Sequence, residues 1–196
     1  GGPDGLNDID RKVRYYKEWD GQSWEVVNSN NPSEGIWYQY AIRLATADVN
    51  GDGYSDVIIG APGSAGASYG KAYVILGASK GLSDMDLSSS DTVITSSDWS
   101  ESAGNDVGTA GDVNSDGYDD IIVGVPLSDA SAVEAGAAYL FLGSATGITA
   151  STFTVADAEI TGENKEDAAG ACTRTAGDYN DDGFDDLLIS AIGYDG

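Results

Sequence analysis

Histidine is absent from this 196-residue chain, and cysteine occurs once. Without His, Ser-His-Asp and Cys-His catalysis and His-based zinc sites are excluded together. The single Cys172 leaves no internal disulfide. Between Ala171 and Thr173 in an expected strand, it reads as a small buried hydrophobe, with a reactive or intermolecular thiol as the alternative. Positive charge is scarce: 9 Lys and Arg stand against 33 Asp and Glu, a net charge of −24. That balance argues strongly against a nucleic-acid partner, whose phosphates need a basic face, and equally against an anionic membrane surface. No apolar run approaches the ~18 residues of a membrane-spanning helix, so membrane insertion is not expected. No leader segment stands at the start, and the chain reads as mature or as excised from a longer one. Asn31-Pro32-Ser33 is blocked as a glycosylation sequon by its proline, and there is no other.

What the chain does have is glycine, 27 residues of it, alongside a hydrophobic content of 41%. This is a globular composition, and the length suffices for one domain with a real core. Within it one acidic stretch is written three times. Asp48-Val49-Asn50-Gly51-Asp52-Gly53-Tyr54-Ser55-Asp56 returns as Asp112-Val113-Asn114-Ser115-Asp116-Gly117-Tyr118-Asp119-Asp120, and again as Asp178-Tyr179-Asn180-Asp181-Asp182-Gly183-Phe184-Asp185-Asp186. Each copy offers oxygen side chains at positions 1, 3, 5 and 9 and Gly at position 6. The candidate ligands are Asp48, Asn50, Asp52 and Asp56; Asp112, Asn114, Asp116 and Asp120; and Asp178, Asn180, Asp182 and Asp186. The backbone carbonyls of Tyr54, Tyr118 and Phe184 at position 7 are a further donor in each. Such an all-oxygen set suits Ca²⁺, which takes six to eight oxygen ligands, so about three ions are expected. Asp-Gly and Asn-Gly pairs also make turns unaided, but three copies in one register favour ligands. An EF-hand is rejected, because it needs a bidentate Glu at position 12 between helices, and here position 12 is Ile59, Val123 or Ile189.

The loops run directly into Val57-Ile58-Ile59-Gly60-Ala61-Pro62, Ile121-Ile122-Val123-Gly124-Val125-Pro126 and Leu187-Leu188-Ile189-Ser190-Ala191-Ile192. An acidic loop leading into an apolar strand that ends Gly-Ala-Pro resembles the FG-GAP repeat of integrin α-subunit propellers. The resemblance implies an all-β fold, with propeller blades of four antiparallel strands and calcium in hairpin loops on one face. There are departures: Gly-Ala-Pro occurs once, and the Phe-Gly half survives only as Val107-Gly108.

The repeat period supports four strands per unit. Asp48 to Asp112 is 64 residues and Asp112 to Asp178 is 66. Ala72-Tyr73-Val74-Ile75-Leu76-Gly77 recurs 66 residues on as Ala138-Tyr139-Leu140-Phe141-Leu142-Gly143. Asp91, Ile94 and Thr95 reappear as Asp157, Ile160 and Thr161. Strands are expected before each loop (Ile42–Ala45, Val107–Ala110), after it, at the Ala-Tyr segments, and in an outer position such as Thr92–Thr95. Lys12–Tyr16 and Trp24–Val27 take the third and fourth roles near the start, with a turn over Trp19–Ser23. The chain therefore divides into a half blade over 1–36, blades over 37–100 and 101–164, and a half blade over 165–196. That makes twelve strands and about three blades' worth, with the terminal blade split between the two ends. Three blades are few for a closed ring. The split blade could be completed by the chain's own N-terminal strands, but two chains closing a six-bladed ring, strand complementation running on as a filament, and a longer parent chain are favoured over that self-closure.

Other chemistry is sparse. Trp19, Trp24, Trp37 and Trp99 are candidates for stacking on sugar rings, but such residues more often pack between blades, and Tyr38 and Tyr40 read the same way. The pairs Asp119-Asp120 and Asp185-Asp186 would suit a glycosidase by residue type alone, yet they repeat where an active site would be singular. The expectation is a non-catalytic extracellular or cell-surface module for adhesion or assembly. Its partners would be another protein or copies of itself, with glycans as a further option and variable loops such as Leu127–Gly136 as contact surface. The alternatives are the propeller part of a carbohydrate- or lipid-active secreted enzyme, and a lectin-like propeller.

Overall fold

The computed structural model describes residues 14–16, 26–28, 43–63, 69–97 and 102–193. The chain forms two units, Gly1–Gln39 and Tyr40–Gly196. The first contains an antiparallel pair, β1 (Arg14–Tyr16) with β2 (Val26–Asn28). The aromatic candidates Trp19, Trp24, Trp37, Trp99, Tyr38 and Tyr40 lie outside the described residues, as does the expected turn over 19–23.

The second unit is built of antiparallel meanders. One sheet runs in the order β3 (Arg43–Ala47), β4 (Asp56–Ala61), β5 (Lys71–Ile75), β6 (Thr92–Thr95). Its repeat runs β7 (Asp106–Gly111), β8 (Asp120–Val125), β9 (Ala137–Phe141), β10 (Ala158–Thr161). A third sheet pairs β11 (Thr173–Gly177) with β12 (Asp186–Ile189). Among the described residues there are twelve strands and no α-helix, only short 3-10 turns at Leu87–Ser89 and Phe153–Val155. No helix is long and apolar enough to cross a membrane among the same residues. The chain is all-β, with four-stranded antiparallel blades of the propeller type.

The period-2 geometry of a strand explains why the post-loop runs are so apolar. Successive side chains of β8 face opposite ways, and both ways are covered. Ile121, Val123 and Val125 enter a core with Ile58, Val74 and Ile94 of the first sheet. Ile122 instead packs with Leu140 and against Leu187 and Ile189 of β12. Each fully buried aliphatic side chain of this kind contributes about 1.5–3 kcal/mol. The structure also corrects the expectation for Cys172, which precedes β11 rather than lying within a strand. It is Thr173 that is fully buried, while Cys172 is exposed, with its amide donating to Ser190 Oγ at 2.9 Å.

The Gly of the Gly-Ala-Pro and Gly-Val-Pro segments has a steric reason. A Cβ on Gly60 would lie 2.4 Å from the Gly104 carbonyl oxygen, and one on Gly124 would lie 1.9 Å from that of Gly170. Backbone meets backbone there, with no flexible side chain able to yield. Gly124→Ala is therefore expected to lower stability by about 1–3 kcal/mol through overpacking, read as a reduced urea midpoint at unchanged slope.

Candidate metal centre

The three acidic loops sit at one place in the fold, the hairpin from an inner strand to the next: β3 to β4, β7 to β8 and β11 to β12. Their backbones match. Position 4 is left-handed in each, with φ of 68° at Gly51, 57° at Ser115 and 59° at Asp181. Position 6 is left-handed too, at 85° for Gly53, 90° for Gly117 and 92° for Gly183. Space around these three glycines is open, so it is the backbone angle that requires Gly.

The side chains repeat as well, most fully in the first two loops. The position-1 carboxylate accepts from the amides of positions 5 and 6. Asp48 takes Asp52 and Gly53 at 3.1 and 2.9 Å, Asp112 takes Asp116 and Gly117 at 2.9 and 2.8 Å, and Asp178 takes Asp182 and Gly183, both at 2.9 Å. Position 5 accepts from the amide of position 7, at 2.9 Å for Tyr54, 3.1 Å for Tyr118 and 3.0 Å for Phe184. Asn50 and Asn114 accept from the amides of Asp52 and Asp116, each at 3.1 Å. Position 9 reaches back across the loop: Asp56, Asp120 and Asp186 accept from the amides of Val49, Val113 and Tyr179 at 2.8, 2.9 and 2.9 Å. In the first two copies the second oxygen accepts from the glycine that follows the third strand, Gly77 at 2.7 Å and Gly143 at 2.8 Å.

Asp56 and Asp120 are fully buried although both are acids. The Asp120 carboxyl is pushed up to about 6 by burial above all, with the amides of Gly143 and Val113 opposing and the charges of Asp116 and Asp112 adding to the rise. Burial raises Asp56 likewise, with the amides of Gly77 and Val49 opposing and Asp48 and Asp52 adding to the rise. Positions 1, 5 and 9 of a loop thus feel each other as like charges across a small space, an arrangement that a cation would relieve. Among the described residues no three Asp, Glu, His or Cys side chains are gathered in metal-ligand geometry, and the loop carboxylates are turned toward loop amides. The donor set, three carboxylates, an amide oxygen and a main-chain carbonyl, nevertheless fits a hard divalent cation and no thiophilic one.

Sequence reasoning misses several partners. Asp91 and Asp157, which stand in the sequence only as a pair recurring after 66 residues, accept from the amides of Leu76 and Leu142 at 2.8 and 2.9 Å, closing the turn toward the fourth strand. Position 8 is the larger omission. Asp119 and Asp185 do not face their own loops. The Asp48 amide donates to Asp119 Oδ2 at 2.8 Å, and the Asp112 amide donates to Asp185 Oδ2 at 2.9 Å. The segment Leu127–Gly136 is only partly a surface: Val133 is exposed, but Ser128 and Ala135 are fully buried.

The FG-GAP repeat family matches residues 40–75 and 103–141, which carry β3–β5 and β7–β9 together with the first two loops. Among similar proteins, integrin alpha-IIb of Mus musculus is 32% identical over 76% of this chain and 14% of its own length. Integrin alpha-5 of Xenopus laevis is 25% identical over 85% of the chain and 16% of its own length, and integrin alpha-V of Gallus gallus is 28% identical over the same shares. The chain therefore spans about a sixth of these relatives. Two matched repeats, the strand order common to both complete sheets and the loop geometry lead to one conclusion: this chain carries FG-GAP repeats.

Proposed function

We propose that the chain is a non-catalytic propeller module for adhesion or assembly at the cell surface or outside the cell, with its hairpin loops braced by about three Ca²⁺ ions. The observation that carries this reading is the threefold loop of matching backbone and donors at one edge of three successive sheets. Repetition of that kind serves a scaffold, whereas a catalytic site would be singular. The ligands are Asp48, Asn50, Asp52, Asp56 and the Tyr54 carbonyl, with their counterparts in the second and third loops. The likeness to integrin alpha subunits supports the adhesion role and the extracellular setting. The partner is another protein or further copies of this chain.

Calorimetric titration of calcium into the chelator-treated chain tests the reading. Three sites are expected, and Asp116→Ala should leave two, because it removes a ligand from the second loop only. Retention of three sites in that variant would refute the assignment of Asp116. Absence of calcium binding in the unaltered chain would refute the metal reading as a whole.

A further inference from the structure

The three loops are not independent hairpins. The Asp48 amide donates to the Asp119 carboxylate at 2.8 Å, and the Asp119 amide donates back to the Asp48 carbonyl at 3.1 Å. The next junction repeats this ring: the Asp112 amide donates to Asp185 at 2.9 Å, and the Asp185 amide to the Asp112 carbonyl at 3.2 Å. Position 8 of each later loop thus holds position 1 of the loop before it through two hydrogen bonds.

Neighbouring contacts reinforce both junctions. A Cβ on Gly51 would meet the Tyr118 ring at 3.0 Å, so position 7 of the second loop lies over position 4 of the first. Ser115 Oγ donates to the Gly183 carbonyl across the second junction. Gly111, at φ 77°, has Asp185 Oδ2 only 1.9 Å from where its Cβ would be, so the glycine makes room for the incoming carboxylate. Residue 8 also stands between a carbonyl donor at position 7 and the carboxylate at position 9, which is fully buried at Asp120 and half-buried at Asp186, so anything that fixes those two fixes it.

We propose that Asp119 and Asp185 are positioning residues that tie each calcium loop to the one before it, so that the three loops take up calcium with positive coupling. The inference rests on the calcium reading above. An ion in the second loop immobilises residues 118–120, which presents Asp119 to the Asp48 amide and orders the first ligand residue of the first loop. The linkage is reciprocal, as any coupling free energy must be. The device belongs to this chain's second and third loops, since position 8 of the first is Ser55.

The test is a calcium titration of the full chain followed by ¹⁵N–¹H NMR, reading each loop at its position-6 glycine: Gly53, Gly117 and Gly183. Asp119→Ala should weaken calcium at Gly53 by about fivefold or more, the lower end of ordinary coupling, although residue 119 is not in that loop. Asp119→Asn keeps an acceptor oxygen and should stay within about twofold of the unaltered chain. Asp185→Ala should transfer the loss to Gly117, an independent copy of the experiment should the first variant fold poorly. In the Asp119→Ala background, emptying the first loop with Asp52→Ala should no longer weaken the second. A Gly53 midpoint unmoved by Asp119→Ala, or equal loss in the Ala and Asn variants, would overturn the coupling while leaving the calcium reading intact. Glycines that ignore calcium in the unaltered chain would overturn both.

Discussion

If the loops hold calcium as proposed, its withdrawal is expected to remove most of the stability of this protein. Asp56 and Asp120 are fully buried acids at the root of their loops, each with two further loop carboxylates acting on it through space. The amides that stabilise this negative charge are shared among nine ligand carboxylates in three loops, and no Lys or Arg lies within any of them. An ion that binds the folded loop and not the unfolded chain adds about 2.7 kcal/mol when supplied at a hundredfold over its Kd. Three sites then contribute on the order of 8 kcal/mol, comparable with the entire stability of an ordinary domain. Thermal unfolding in excess chelator should begin at least ~15 °C lower than in saturating calcium, given about 2–4 °C per kcal/mol at this size. Sodium chloride added to the chelated protein should recover only part of the loss, because buried carboxylates are screened less than exposed ones. A shift below about 3 °C, or full recovery by salt alone, would mean that the loops are held by their own hydrogen bonds.

The legibility of this fold in its sequence follows from repetition. The 64- and 66-residue steps locate two complete meanders and a pair of flanking strands, since each strand is bounded by a loop that recurs. The outer strand Thr92–Thr95 is found at the expected residues. The inner strand β3, at Arg43–Ala47, instead runs closer to its loop than Ile42–Ala45 would. Strand ends are set by ladder bonds to a neighbour, and Ala47 pairs with Asp56 only because the loop closes. Cys172 departs from its expected burial because residue type does not say where the strand begins: β11 starts at Thr173, which takes the inward position. The junctions between loops are illegible for a different reason. Asp119 and Asp48 are 71 residues apart, and nothing in a single repeat says that position 8 belongs to the loop before it. What breaks the repeat is the better guide to such contacts, as at Asp106, whose counterparts one period away are Ile42 and Cys172.

Asp106→Ala is expected to be the most damaging substitution outside the loops, at about 3 kcal/mol or more. Asp106 opens β7 at the end of the strand away from the loops and is 2% exposed. It accepts from the Thr173 amide at 2.7 Å and from Thr173 Oγ1 at 3.3 Å, both buried, and from Arg174 Nη1 at 2.7 Å. Arg43 on β3 adds a longer contact, Nε to Oδ1 at 3.8 Å. One carboxylate thus gathers the beginnings of β3, β7 and β11. Alanine would leave the buried Thr173 amide without its acceptor, at about 1–3 kcal/mol, and would remove a charge-assisted bond worth about 1.5–3 kcal/mol. The Arg174 side chain is 52% exposed and can return to water, which keeps the cost below that of a fully buried orphan charge. Asp106→Asn retains one acceptor and should cost roughly half as much. Arg43→Ala should cost less than about 1 kcal/mol, since its pair is long and its side chain is 49% exposed, the regime of surface ion pairs. Urea unfolding of the three variants in saturating calcium would rank them. Equal losses for Asp106→Ala and Arg43→Ala would show that the ion pair across β3 and β7, and not the buried acceptor for β11, holds the inner strands together.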